Sequence, residues 1–403
     1  MSTAVRPDPA VNRPRMPRAV WILGIVSLLT DVSSELAHAL LPLLIVGSFG
    51  AGMFTLGLIE GISESTAAFC KLFAGRLSDA IGRRKALIVV GYGLSTLSKP
   101  LFPLASSVGL VLGARVIDRI GKGIRGAPRD ALLADVTPPA LRGEAYGLRQ
   151  SLDTIGAVLG PLAAIALMLW LGAVRSALWF AVLPAALGVL VLIVWVQEPA
   201  TRSIKHASLW STAAWRELPA AFWRVIAITA LLGLARFGEA FLIVLGRDRG
   251  LGEAWAPLAL VVMSSVYAAS AWPAGWLADR LDRSGLLMIA IVALLGADLV
   301  LAFAPGPLWF GLGVALWGLH LGFSQGVLAA LVADAAPSTL RGTAFGVFHG
   351  VTGAALLAAS LIAGGLWQWR SASACFLGGA VFAALGLLLL TFNQGRAAPA
   401  KSN

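Results

Sequence analysis

Long apolar stretches separated by short charged segments run the length of the chain, and the length of each stretch decides what it forms. Ser176–Gln197 and Gly342–Trp369 contain no Asp, Glu, Lys or Arg and reach the roughly 20 residues with which a helix crosses a bilayer. Their periodicity does not separate helix from strand, but their length exceeds the ~10-residue strands of a membrane barrel. Twelve such spans are predicted, at 19–47, 54–75, 86–105, 107–127, 145–171, 176–197, 220–245, 254–277, 286–304, 307–333, 344–367 and 372–393. The expected fold class is α, a polytopic membrane protein of twelve transmembrane helices.

The spans fall into two sets because the chain repeats itself. GRLSDAIGRRK (Gly75–Lys85) returns as GWLADRLDRSG (Gly275–Gly285), and LLADVTPPALRGEAYGL (Leu132–Leu148) returns as LVADAAPSTLRGTAFGV (Leu331–Val347). A shared apolar composition would not restore Asp, Pro, Arg and Gly at one fixed offset. One bundle of six helices is expected over 1–198 and another over 220–403, joined by a polar cytoplasmic linker at 199–219 that carries Arg202, Lys205 and Arg216. A duplicated helical bundle in a bilayer is the usual build of a secondary transporter.

With 58% hydrophobic and 13% charged residues over 403 positions, the chain has too little polar surface for a soluble globule. The net charge of +11 reflects topology and not a nucleic-acid partner: basic residues precede the first span (Arg13, Arg15, Arg18) and follow the even-numbered ones (Arg83, Arg84, Lys85; Arg129, Arg142; Arg280, Arg283; Arg341). This bias places both termini in the cytoplasm, in an inner membrane. Cys70 and Cys375 lie in apolar spans and suggest neither a disulfide nor a thiolate metal site. Cleavage of the first span as a signal peptide, which Ala37-His38-Ala39 superficially fits, would break the match between the halves.

Gly75–Lys85 resembles, at nearly every specified position, the G-x-L-x-D-x-x-G-R-R/K loop between helices 2 and 3 of the major facilitator superfamily. Arg119 to Gly123 resembles that family's R-x-x-Q-G pattern with Lys122 in place of Gln. Gly156, Gly160 and Pro161 resemble the fifth-helix pattern G-x-x-x-G-P-x-x-G-G of its drug:proton antiporter branch, with Ala164 and Ile165 replacing the last glycines. The resemblance implies two pseudo-symmetric six-helix bundles around a cavity lined by helices 1, 2, 4, 5, 7, 8, 10 and 11. It also implies a cytoplasmic gate at Gly75, Asp79, Gly82, Arg83 and Arg84, with Asp279 and Arg283 in the second copy. There Asp282 stands for a Gly and Ser284 for an Arg, so a weaker latch is expected.

Ionisable side chains inside a bilayer cost at least ~2.5–3.5 kcal/mol each, so each needs a partner, water or a function. On helix 1, Asp31, Glu35 and His38 fall within about 60° of arc at 100° per residue. Two carboxylates one turn apart repel when both are ionised, which makes a proton easy to bind and release; Asp31 and Glu35 are the expected proton-coupling pair. Glu60, Glu64 and Lys71 share a face of helix 2, and Arg115, Asp118, Arg119 and Lys122 a face of helix 4. Opposite signs on neighbouring helices suggest ion pairs, and Glu60, Lys71 and Asp118 fit a packing role as well as a functional one. The cavity residues expected are His38, Glu64, Lys71, Arg115, Arg119, Arg236 and Glu239. The second half offers a more apolar wall, with Trp272, Trp276, Trp317 and Phe323, while His320, His349, Lys99 and Asp298 read as structural.

No ATP-binding G-x-x-x-x-G-K-S/T loop, H-E-x-x-H or G-x-S-x-G is present. The G-x-G-x-x-G match at Gly121–Gly126 ends a membrane helix with no strand before it. The expectation is therefore neither an enzyme nor a cofactor protein but a monomeric secondary transporter, moving a small-molecule substrate by alternating access with protons as driver. Efflux of a small organic compound is the first reading. Uptake or exchange of an anion on Lys71, Arg115, Arg119 and Arg236 is the second. Divalent metal export through Asp31, Glu35 and His38 is a further alternative, and a non-transporting receptor or membrane enzyme is the reading of another class.

Overall fold

The structure, a computed structural model, describes residues 15–81, 83–197, 215, 217–278, 282–337 and 340–397. Twelve helical rods follow one another within them: α1 (Arg18–Ser48), α2 (Met53–Ile81), α3 (Arg84–Leu104), α4 (Val108–Val136), α5 (Pro139–Leu171), α6 (Val174–Trp195), α7 (Ala220–Leu251), α8 (Leu258–Ala278), α9 (Arg283–Phe303), α10 (Pro307–Ala335), α11 (Arg341–Trp369) and α12 (Ala372–Ala397). Each overlaps a predicted span. Ten are long and apolar enough to cross a membrane by composition; α2 and α4 fall short because they carry the interior charges. These two also run on past their predicted ends, since Arg, Asp, Ala and Leu continue a helix after the apolar run has stopped.

Several rods are irregular: α3 and α6 are each interrupted by a short turn, at Lys99–Pro100 and at Phe180–Ala181. Past Pro42, α1 widens into a π-helical stretch at Leu43–Ser48. More consequentially, α7 is helical to Ala235, leaves helical geometry at Arg236 (φ −104°, ψ 93°), and resumes at Ala240. Residues 236–238 are thus open chain inside the membrane-spanning part of the molecule, a feature tolerated where protein or a cavity surrounds it.

The core reveals which end of the molecule is closed. One continuous apolar cluster joins both halves at the end that carries the α1–α2 and α7–α8 connections, drawing on Leu40, Leu44 and Leu56 as well as Phe241, Leu245 and Phe310. At the other end the halves keep separate cores, one around Val20, Tyr92 and Leu132 and one around Phe222, Val332 and Ala344. On the closed end α2 and α11 meet through small residues: a Cβ on Gly57 would clash with the Ser360 carbonyl, and Gly364 lies against Met53. Small residues let membrane helices pack backbone to backbone. The Phe54 N–H donates to Gln368 Oε1 at 3.0 Å and Phe54 stacks on Trp369.

At the open end the internal repeat reproduces an ion pair. Arg84, first residue of α3, binds Asp135 at the end of α4, and Arg283, first residue of α9, binds Asp334 of α10. Each pair stays inside its own half instead of bridging the halves, because each arginine starts the helix that packs beside its partner's. The expected weakening by Asp282 takes another form: its Oδ2 accepts the Gly285 N–H at 3.3 Å and caps α9. Arg83 is exposed. Gly82 and Asp279 lie outside the described residues, and for Gly75 and Asp79 only the path of α2 is described.

Candidate functional site: a charged cavity between the halves

Three lobes of about 230, 410 and 370 Å³ lie between the halves and share Lys122 and Gln325, so they form one cavity. The first lobe is bounded by Glu35, His38, Glu64 and Arg119 and, opposite, by the broken segment of α7 with Arg236 and Glu239. The second reaches Lys71, His320 and His349. The third holds Asp31, Arg129, Asp153 and Tyr267.

Helix packing puts these groups there. Gly156 and Gly160 of α5 face α1, where an added Cβ would stand 2.9 Å from Asp31 Cβ and 2.7 Å from Glu35 Cβ; the glycines of the antiporter-like motif are the seats of the two carboxylates. Pro161 is buried in the same face. Gly238 in the α7 break does the same for α2, with its missing Cβ 3.0 Å from Glu60 Cβ.

The interior charges separate into a tied set and an untied set. Arg115 Nη2 donates to Glu60 Oε1 at 3.2 Å, and Lys99 Nζ donates to Asp118 Oδ1 at 2.8 Å, all four side chains being almost wholly buried. Arg119 lies 3.3 Å from Glu64, and Arg149 3.6 Å from Asp153. Arg129 donates to Ser27 Oγ at 2.9 Å and approaches Asp153 at 3.9 Å. The untied set is different. The side chains of Asp31, Glu239, Lys71, Lys122 and Arg236 line the cavity without a hydrogen bond or ion pair to any described residue, and that of Glu35 approaches only His38, at 3.9 Å.

The structure therefore gathers Asp31, Glu35, His38, Glu64, Lys71, Arg119, Arg236 and Glu239 in one cavity. Arg115, expected to line it, lies behind it, held by Glu60. Trp272 and Trp276 do not form the opposing wall: Trp272 is 78% exposed on the outside of α8, where lipid is the natural neighbour, and Trp317 is buried in a cluster with Phe237 and Phe376. The wall consists instead of Thr229, Leu232, Ser324 and Gln325. His320 is hydrogen-bonded, Nδ1 to Ala290 O at 2.9 Å. Sequence reasoning missed Lys122 as a cavity residue although the motif it interrupts was in view; a cation where the pattern has an amide was the available signal. Gln325 and Tyr267 carried no signal. Among the described residues no group of three or more His, Cys, Asp or Glu could hold a metal ion, and Asp31, Glu35 and His38 are spread over two lobes.

The family model of the Major Facilitator Superfamily matches residues 23–358 and 258–403. The chain belongs to this superfamily. Like its relatives it is an integral, multi-pass membrane transporter. An uncharacterized MFS-type transporter of Methanocaldococcus jannaschii is 32% identical, covering 94% of this chain and 96% of that protein. A probable 4-methylmuconolactone transporter of Cupriavidus pinatubonensis is 25% identical over 95% and 92%. Among solved superfamily folds, a POT family transporter in complex with a thioalcohol-conjugated peptide superposes with a TM-score of 0.81 at 12% identity, covering 95% of this chain and 97% of that one.

Proposed function

We propose that the protein couples protons to the movement of a small organic anion, with Lys122, Lys71 and Arg236 as the cargo-binding cations and Asp31, Glu35 and Glu239 as the proton-binding acids. The observation that carries this reading is the division of the interior charges: beside the paired ones, the side chains of three cations and three acids face the cavity untied, together with Arg125, whose guanidinium donates only to the neutral Ser95 hydroxyl. When the acids are ionised they offset the cations, and an anion gains little by entering. When they are protonated the cavity turns positive and the anion binds. Proton and anion thus favour each other's binding, reciprocally, which is the logic of symport. Of the two transport directions weighed from the sequence, this favours uptake over efflux; an antiporter would need cargo and proton to compete. The relative whose name specifies a small organic cargo is compatible with it.

The basic side of the chain, and so both termini and the open end of the cavity, lies in the cytoplasm on this reading, and the protein acts as a monomer. On the same reading, the contacts at the opposite end and the separate cores at the terminal end correspond to an inward-facing conformation.

The test uses purified protein in proteoliposomes with an imposed pH gradient and a panel of labelled organic carboxylates, amines and neutral compounds. Carboxylate accumulation on the alkaline side, with protons entering alongside, is expected. Accumulation of amines in exchange for protons would overturn the symport reading and restore antiport. Asp31→Asn and Glu35→Gln should cut gradient-driven accumulation more than exchange of cargo for cargo; equal loss of both would reassign the pair to cargo binding.

A further inference from the structure

Asp298 stands apart from the other buried acids of the described chain. Glu60 and Asp118, buried as deeply, each hold a cation. Asp298, on α9, is 0% exposed, and neither carboxylate oxygen has a hydrogen-bond partner. It lines none of the three lobes of the cavity, so the transport reading does not use it. A carboxylate left ionised and unpartnered inside protein and lipid is strongly unfavourable.

The elements packed around it supply no positive charge. From α12 the titratable neighbour is Cys375, a buried free thiol. On α10, His320 is engaged with Ala290 O, and the buried indole N–H of Trp317 is itself without a partner and so does not reach Asp298. On α7, Arg236 and Glu239 turn into the cavity.

What Asp298 does face is the end of the first segment of α7. In an unbroken helix the Ala235 carbonyl would accept the N–H of Glu239; the break at 236–238 removes that donor. A Cβ added at Gly379 of α12 would stand 2.7 Å from Asp298 Oδ2 and 3.0 Å from the Ala235 oxygen. Because glycine has no such atom, the carboxyl and the orphaned carbonyl share one small gap. Two oxygens that both accept repel across it; a proton on one of them turns repulsion into a hydrogen bond.

We propose that Asp298 is a second proton site, distinct from the cavity: it carries a proton, offers it to the Ala235 carbonyl, and so holds the broken end of α7 that presents Arg236 and Glu239 to the cargo. It is a positioning residue, acting through Ala235. Losing the proton would set a negative charge against the C-terminal, negative end of a helix dipole and release the break. This inference does not depend on which cargo the cavity takes.

Two measurements on the purified full-length protein test it. Infrared difference spectroscopy of wild type minus D298N at neutral pH should show a carboxylic-acid C=O band in the wild type that is missing from D298N; a carboxylate band in its place would overturn the assignment. Hydrogen exchange then reads the break. The amides of Arg236 to Ala240 should lose protection in D298A and keep it in D298N, whose amide can still donate to Ala235. D298N should also keep that protection at alkaline pH, where the wild type loses it. Equal deprotection in both variants, or a wild-type profile indifferent to pH, would overturn the proposal. If D298A fails to fold, the D298N band and pH arms decide alone. Stabilisation of the wild type by sodium chloride over potassium chloride, absent in D298N, would replace the proton with a metal ion and equally overturn it.

Discussion

The two halves share one plan and use it differently. The first half carries its polarity as a lattice: Arg115 with Glu60, Lys99 with Asp118, Arg119 with Glu64, Arg149 with Asp153. The second half is built from aromatic contacts, with Phe237, Phe241, Trp317 and Phe376 ring against ring at 5.2–6.4 Å, and its few interior charges sit at or beside a broken helix. Duplication kept the scaffold pairs Arg84–Asp135 and Arg283–Asp334 alike while the interiors diverged. The lesson is that a wall of ion-paired helices and a wall broken by open chain can face each other across a single cavity, the first presenting Glu64 and Arg119 and the second Arg236 and Glu239.

The largest effect should come from breaking the lattice. Glu60→Gln leaves Arg115 charged and buried, and removal of one partner from a buried pair costs about 3–5 kcal/mol. The thermal unfolding midpoint in detergent should fall sharply, and E60Q combined with Arg115→Gln should recover much of it; if the single variant were silent, the lattice would not be what stiffens the first half.

Next comes Gly160→Val. The side chain would have to occupy space 2.7 Å from Glu35 Cβ and 2.8 Å from Leu36 N, and overpacking of this kind costs typically about 1–3 kcal/mol. It should push α1 from α5 and depress transport, while Gly113→Val, in open surroundings, should leave transport intact.

A comparable but more local change is Lys122→Gln. Hydrogen bonds to charged groups contribute about 1.5–3 kcal/mol, so cargo affinity should weaken by roughly ten- to a hundredfold without loss of fold, as read by binding and by an unchanged unfolding midpoint. The smallest effect is Trp272→Ala on the outer face of α8, where a surface change away from such features alters stability by about 0.5 kcal/mol or less and transport should not change.

Much of the fold was legible because apolar length is a direct consequence of bilayer thickness. All twelve rods could be read from it, and the internal repeat from Asp, Pro, Arg and Gly recurring at one fixed offset. The pairing of charges on α2 with those on α4 was legible as opposite signs on neighbouring faces, whereas the glycines of α5 were legible only as a motif and not as the seats of Asp31 and Glu35. Three further features were not legible. The α7 break lies in Arg236–Glu239, where a lone glycine gives no clear stop signal and tertiary contact with Glu60 decides the backbone. Arg115 sat one turn from Arg119 on the same face, yet depth within the bundle, which periodicity does not encode, placed it behind the wall. Gln325 is an ordinary amide until the fold sets it at the meeting point of the lobes.

The central claim is that protonation of the untied acids makes room for an anion on the untied cations. The most direct measurement is the affinity of the best-transported carboxylate as a function of pH, by calorimetry on purified protein, for the wild type and for the variant combining Asp31→Asn, Glu35→Gln and Glu239→Gln. The account predicts that wild-type affinity rises as pH falls, with proton uptake on binding, and that the triple variant binds tightly at every pH. A wild-type affinity that is flat or falls with acidification would contradict it.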